Sequence, residues 1–272
     1  MDIINTLNLF YKNFQGEKFS IGKSLDGREI LCIKKGNKSP VIIAQFSIHA
    51  REWITSLLAL KFIENFNADA TVYFILNANP DGIALATRGL SAIRNAEIKS
   101  NLKKFKKFKL WKANANAVDL NVNFNANWGK GIKNVFEPNG ENYVGNYYES
   151  EPETKALVNF TKKIHPDATI SFHSKGEEIY WYFNQEKAIA ERDYKLALTL
   201  SKSNGYKVKY TLGSVGGYKD WCISELKIPS FTIEVGSDAL SHPITEKYID
   251  EIYEKNKNLL NDFSKELLWT IK

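Results

Sequence analysis

The run Val41 to Ile48 is rich in Val, Ile and Phe, and it ends in His49 with Glu52 three residues further on, where a helical pattern begins. Such a run fits a buried strand, and it puts an imidazole and a carboxylate at the strand's C-terminal end, where open α/β sheets keep their ligands. A His-x-x-Glu pair there is spaced to hold a metal, yet the same pair also arises by accident. Its meaning depends on what the rest of the chain supplies.

The surrounding pattern alternates strands and helices. Ile3, Ile4, Leu7, Phe10, Tyr11 and Phe14 recur at helical spacing, Asp26-Gly27 marks a turn, and Glu29 to Lys34 reads as a strand. After His49 the spacing of Trp53, Leu57, Leu58, Leu60, Phe62 and Phe66 predicts a helix, and Thr71 to Leu76 a short buried strand. Asn79-Pro80-Asp81-Gly82 then reads as a turn, 125–148 as a long surface loop, and Pro152 to Ile164 as a helix ended by His165-Pro166. Ala168 to Ser174 is a second apolar strand ending in a histidine, with the strand EIYWYF pairing after it. A helix over Lys187 to Ser203, a strand over Lys207 to Leu212, a short helix, a strand over Ser230 to Val235 and one long amphipathic helix from Ile244 complete the chain. No repeat, linker or low-complexity tract interrupts it. The expected fold is a single α/β domain over 1–272, with a mixed, mostly parallel central sheet flanked by helices.

Composition narrows the function classes only a little. With 43% apolar and 13% aromatic residues, 272 residues bury a large core. A net charge of +6 permits anionic partners without indicating nucleic acid. The stretch Lys99 to Lys112, with KKFKKFK inside it, has two readings: a polyanion patch, or a solvated lysine face whose Phe105, Phe108 and Leu110 pack inward. Cys32 and Cys222 read as buried reduced thiols. The absence of a secretory signal and of any run of eighteen apolar residues predicts a cytoplasmic chain outside the membrane, with no propeptide.

Three groups stand at or beside strand ends: His49 with Glu52, then His173, then Glu234. Two histidines and a glutamate are the protein ligands of a catalytic zinc that keeps a fourth position open, and a further glutamate at another strand end suits a general base. A lone strand-end histidine is often only a hydrogen-bonded structural residue. Glu234 inside an apolar strand is harder to explain without a partner, because an unpaired buried carboxylate is costly. His165 and His242, each before a proline in loop-like sequence, are expected at the surface or in capping roles.

HAREW, NPDG, VDLN, SFHS, GGYKDW and FTIEVG, in this order, resemble the zinc carboxypeptidase family over most of the chain. The resemblance implies one zinc per chain on His49, Glu52 and His173, with Glu234 as general base and proton shuttle. It also implies that Asp119 orients the first zinc histidine, and that Arg51 and Asn121 contact substrate.

The departures bear on the substrate. Lys112 stands where the digestive-type enzymes have an oxyanion-stabilising arginine, so the charge is kept and the two-pronged fork is lost. Val122 replaces the arginine that grips a substrate's terminal carboxylate. Counting from Gly216 puts Leu212 at the position of the substrate-capping tyrosine, with Tyr210 nearby. Lys219 falls at the base of the specificity pocket, where a cation favours a carboxylate-bearing group. WKAN, Val122 and GGYKDW together resemble the branch that cleaves γ-D-glutamyl bonds to diaminopimelate in cell-wall peptides. The partner implied is a peptide rich in carboxylates. An ordinary carboxypeptidase, a zinc N-acyl amino acid amidohydrolase, and a silent scaffold that binds nucleic acid through its basic stretch are the other readings.

Overall fold

The Val41 run lies at the centre of the sheet, and the neighbouring elements are laid out by the need to cover it. The computed structural model describes residues 1–211 and 213–271. In chain order it contains helix α1 (Ile3–Asn13), strands β1 (Lys18–Lys23), β2 (Glu29–Lys35) and β3 (Val41–Phe46), helix α2 (Ile54–Glu64) and strand β4 (Thr71–Ile75). Helices α3 (Pro80–Arg88), α4 (Ala96–Leu102) and α5 (Pro152–Ile164) follow, then strands β5 (Ala168–His173) and β6 (Glu178–Tyr180), helix α6 (Lys187–Asn204) and strand β7 (Lys207–Lys209). Helix α7 (Tyr218–Leu226), strand β8 (Ser230–Glu234) and helices α8 (Ile249–Asn256) and α9 (Leu259–Ile271) end the described chain.

The eight strands form one sheet in the order β1-β2-β4-β3-β5-β8-β6-β7. Four pairings are parallel and three antiparallel, so the sheet is mixed and mostly parallel as expected. Its two faces bury alternate residues of the same strand. Ile42, Ala44 and Phe46 point into a core shared with α1, α2, α6, α8 and α9, whereas Ile43 points toward α5 and α7. Phe46 stacks on Phe172 at 4.6 Å, which locks β3 to β5 at the ends that carry the candidate ligands. From β3 the chain crosses to β4 on one side and later to β5 on the other. That reversal opens a crevice at the C-terminal ends of the strands.

Several sequence expectations are corrected. The NPDG turn is a helix start: Asn79 accepts a hydrogen bond from Gly82 N and Pro80 occupies the first turn of α3. The EIY strand pairs with β8 and β7 rather than with β5, since β5 already has parallel partners on both sides. The expected final helix is broken into α8 and α9 at Lys257 and Asn258. Strand β1, an edge strand of mixed polarity (KFSIGK), carries no clear period and was not anticipated. In the basic stretch, Phe105 and Phe108 pack edge-on to Trp111 as expected, but Leu110 is 56% exposed. Cys32 and Cys222 are buried and unbridged. No helix among the described residues is long and apolar enough to cross a membrane.

Candidate metal and catalytic site

His49 sits three residues past the end of β3. Ser47 takes a left-handed conformation (φ 52°), and its amide donates to Thr55 Oγ1 at 2.9 Å, turning the chain onto α2. Ser56 Oγ, donating to Leu76 O and lying 2.7 Å from Ser47 Oγ, ties the same turn to the end of β4. His49 then opens a 3₁₀ turn over Ala50–Glu52, which folds Glu52 back beneath the imidazole. Across the sheet, the register that pairs Phe46 with Phe172 leaves His173 level with this turn. The next register pair, His173 with Glu234, brings in the carboxylate from β8. The turn after β3 and the parallel register of β3, β5 and β8 thus bring together four residues that span 49 to 234 in sequence.

The donors converge. His49 Nδ1 lies 2.9 Å from Glu52 Oε1, His173 Nδ1 lies 3.0 Å from Glu52 Oε2, and the two Nδ1 atoms are 3.1 Å apart. His49 Nε2 faces Asp119 Oδ1 at 3.2 Å, so that nitrogen carries the proton and Nδ1 presents its lone pair toward His173 and Glu52. Two nitrogens on one tetrahedral zinc, with bonds of about 2.0–2.1 Å, are roughly 3.3 Å apart. The three groups are buried and offer one ligand atom each within 4.8 Å of one another. They fit a zinc ion.

The electrostatics around the cluster follow from burial and crowding. Burial opposes charge on His49, but Glu52 and Asp119 outweigh it and hold its pKa above the usual histidine value, whereas burial leaves His173 below it. Asp119 is held far below the carboxylate range despite its burial, by Lys112 (Nζ to Oδ2 3.7 Å) and by His49. Glu234 goes the other way, pushed up to about 8 by burial and by the neighbouring Glu52 carboxylate. A cation at the cluster would oppose that rise.

A cavity of ≈230 Å³ adjoins the cluster, lined by His49, His173 and Glu234 together with Lys112, Asp119, Asn121, Val122 and Lys219. The structure therefore gathers most of the residues singled out in the sequence, with three differences. Arg51 is turned to the rim, where Nη1 donates to Leu110 O and pairs with Glu141, and it does not line the cavity. Tyr210 is 60% exposed and packs on Trp181 and Tyr182 outside the cavity, while Leu212 lies outside the described residues. Lys219 is no isolated cation: its Nζ donates to Asp220 Oδ1 at 2.5 Å and to Tyr182 O at 3.0 Å, with both charged side chains buried.

Asp220, Tyr180, Thr232 and Asn142 also line the cavity and were missed. Asp220 was in view inside GGYKDW. Thr232 was likewise inside FTIEVG, whereas Tyr180 and Asn142 come from other elements and nothing local to their sequence marks them as site residues. His165 does cap α5, in a left-handed conformation, as expected. His242 is half-buried, and its pKa is lowered by burial against the opposing pull of Glu52, so it lies on the site's side of the molecule and not on a remote surface.

Comparison with known proteins agrees with this geometry. The chain is 31% identical over 278 residues to "Gamma-D-glutamyl-L-diamino acid endopeptidase 1" of Lysinibacillus sphaericus, a match covering 94% of this chain and 68% of that protein. It is 30% identical over 258 residues to bovine carboxypeptidase A1, covering 80% of this chain and 57% of the relative. Among solved structures, thrombin activatable fibrinolysis inhibitor superposes with a TM-score of 0.78 at 22% identity, over 98% of this chain and 72% of that one, which speaks to the fold. The zinc carboxypeptidase family model spans residues 4–259, and with the two histidines and the glutamate gathered as a zinc requires, the chain belongs to the zinc carboxypeptidase family of metallopeptidases.

Proposed function

We propose that the chain hydrolyses γ-D-glutamyl bonds to a diamino diacid such as diaminopimelate in cell-wall peptides. The observation that carries this reading is the buried Lys219–Asp220 pair lining the cavity beside the zinc ligands. Of the three donors on Nζ, two are used, and Asp220 Oδ2 accepts from Gly217 N, so each partner keeps hydrogen-bonding capacity toward the cavity. A side chain ending in both an ammonium and a carboxylate satisfies the two together, whereas a lone carboxylate meets Asp220 and a lone ammonium meets Lys219. The relative from Lysinibacillus sphaericus, whose name specifies a γ-D-glutamyl-L-diamino acid bond, supports the same reading.

His49, Glu52 and His173 would hold a zinc ion, which would supply the Lewis acid for acidifying water and polarising the scissile carbonyl. Glu234, the register partner of His173 on β8, takes a proton from the attacking water and returns it to the leaving amine as the C–N bond breaks. Asp119 fixes the His49 tautomer, and Lys112 faces the cavity to offset negative charge on the carbonyl oxygen.

The test is hydrolysis by the zinc-loaded protein of L-Ala-γ-D-Glu-diaminopimelate, the same peptide ending in lysine, and ordinary α-linked peptides with apolar C-terminal residues. A kcat/KM at least tenfold higher for the diaminopimelate peptide is expected. Cleavage of the ordinary peptides alone would overturn the assignment in favour of a carboxypeptidase.

A further inference from the structure

Apart from Lys112, the basic stretch has no role in the reaction proposed above. From Lys99 to Lys112 there are seven lysines and no acid. The whole chain has 37 Lys+Arg against 31 Asp+Glu, so without these seven the remainder carries 30 against 31. The entire positive excess therefore sits in this one stretch. Elsewhere, lysines such as Lys23, Lys38, Lys61, Lys175 and Lys255 find carboxylates. Here only Lys112 does. Lys103, Lys106, Lys107 and Lys109 are exposed, and their ammonium groups have no ion-pair or hydrogen-bond partner among the described residues.

An anchored loop presents these lysines. Phe105 and Phe108 pack on Trp111 with ring centroids 4.9 and 5.2 Å away. Lys112 N donates to Gly140 O (2.9 Å), Ala50 N to Lys112 O (3.0 Å), and Arg51 Nη1 to Leu110 O at the rim of the zinc cavity. Beside the loop lies a cavity of ≈390 Å³, lined by Ser100, Asn101, Lys104, Phe105 and Asn116, within the size range of small-ligand sites. The 112–119 segment divides the two spaces: Ala115, Asn116 and Ala117 line this cavity, whereas Lys112 and Asp119 line the zinc cavity. The Ser100 hydroxyl and the Asn101 amide make no hydrogen bond among the described residues, so both are available to a polar ligand.

With Phe105 and Phe108 half-buried against Trp111, neither ring stands out for stacking on bases, and Leu110 alone offers too little apolar surface to enter a bilayer. What is left is a cluster of ammonium groups beside a polar cavity, on the segment that carries Lys112 into the cleft. A molecule docked there is placed to continue into the cleft as the substrate. Building on the function proposed above, we infer that the 99–109 loop and this cavity form a docking face for a polymeric substrate. The wall glycan lies in the cavity, and carboxylates of its neighbouring, uncut peptides pair with Lys103, Lys106, Lys107 and Lys109. The chain therefore cuts peptides that are still attached to the polymer, and holds that polymer by charge.

The experiment compares the zinc-loaded protein with a variant carrying Lys103→Gln, Lys106→Gln, Lys107→Gln and Lys109→Gln. Brief co-sedimentation with insoluble wall polymer measures docking, and release of diaminopimelate from that polymer and from soluble L-Ala-γ-D-Glu-diaminopimelate measures cleavage. Retention of the wild-type protein should weaken with rising salt and on amidation of the polymer's carboxylates. The lysine variant should be retained at least tenfold more weakly and cut the polymer at least fivefold more slowly, with kcat/KM on the soluble peptide within twofold of wild type, which also shows that it is folded. Asn101→Trp, which fills the cavity without changing charge, should lower retention at least threefold. Wild-type retention by either variant, retention indifferent to amidation, or an equal loss on the soluble peptide would overturn the docking face. Tighter binding to poly(U) or to phosphatidylglycerol vesicles than to the wall polymer would overturn it in favour of those partners. Salt-sensitive, lysine-dependent retention without cleavage of any γ-linked peptide would instead overturn the γ-glutamyl reading and leave the docking face standing.

Discussion

In the proposed reaction Glu234 is the residue on which the chemistry would turn, and its environment supports that role. Burial and the Glu52 carboxylate push its pKa to about 8, and a zinc ion on His49, Glu52 and His173 would oppose the shift. Glu234→Gln keeps the shape and removes the basicity, and Glu234 is not one of the three converging ligands. The variant is expected to bind zinc with unchanged stoichiometry by metal analysis and to lose at least about a hundredfold in kcat. Loss of zinc together with activity would move Glu234 from base to ligand. At this scale much was legible in the sequence: His49, Glu52, His173, Asp119 and Glu234 each belong to a short run that can be singled out. The neutralisation of Lys219 by Asp220 was not, because adjacent residues on a helix usually diverge. Here both reach one another at the first turn of α7, where Asp220 also accepts from Gly217 N.

At the scale of elements, the start of α3 holds the site together. Asn79 is fully buried; its side chain accepts from Gly82 N and donates to Ile48 O, Lys112 O and Ala113 O. One amide thus caps a helix and ties the residue before His49 to the segment carrying Lys112. Asn79→Ala leaves buried carbonyls unpaired and removes the cap, and should destabilise the protein by about 2–3 kcal/mol. Urea unfolding of the zinc-loaded protein would measure it, and a change below about 0.5 kcal/mol would contradict this role. The NPDG motif was visible in the sequence, but its turn composition is shared by tight turns and helix starts, and only the packing of Asn79 distinguishes them. The pairing of β6 is of the same kind. A short apolar strand after β5 looks like its natural partner, yet β5 is already flanked by β3 and β8.

Across the whole molecule, a buried polar knot joins distant parts of the chain. Arg28 pairs with Asp26 and Asp81 at 2.7 Å each, and Glu153 accepts from Leu25 N (3.0 Å) and from Asn114 Nδ2 (3.1 Å). Burial and the charge of Asp81 push Glu153 to about 8, against an ordinary value of 4.5. The folded protein therefore holds this proton where the unfolded chain releases it. The stability it contributes is complete below about pH 4.5 and is lost as the pH rises through 8. Unfolding free energy, measured from pH 5 to 9, should fall by up to a few kcal/mol through this group, and Glu153→Gln should flatten that part of the profile. An unchanged slope in the variant would show that Glu153 ionises normally.

By itself the sequence determined the α/β class, the strand ends that carry chemistry, and the residue types of a zinc site. These are local properties: an apolar run specifies a buried strand, and a strand specifies where its last residue points. The tertiary structure alone decided which strand ends share a crevice, that Lys219 faces the cavity as half of an ion pair, and that Arg51 and Tyr210 stand outside it. It also decided that Lys103, Lys106, Lys107 and Lys109 stand exposed and unpaired on the loop that leads into the cleft. Register between parallel strands and the hydrogen bonds joining Lys112 to Ala50 and Gly140 set those relations, and both are contacts between residues far apart in the chain.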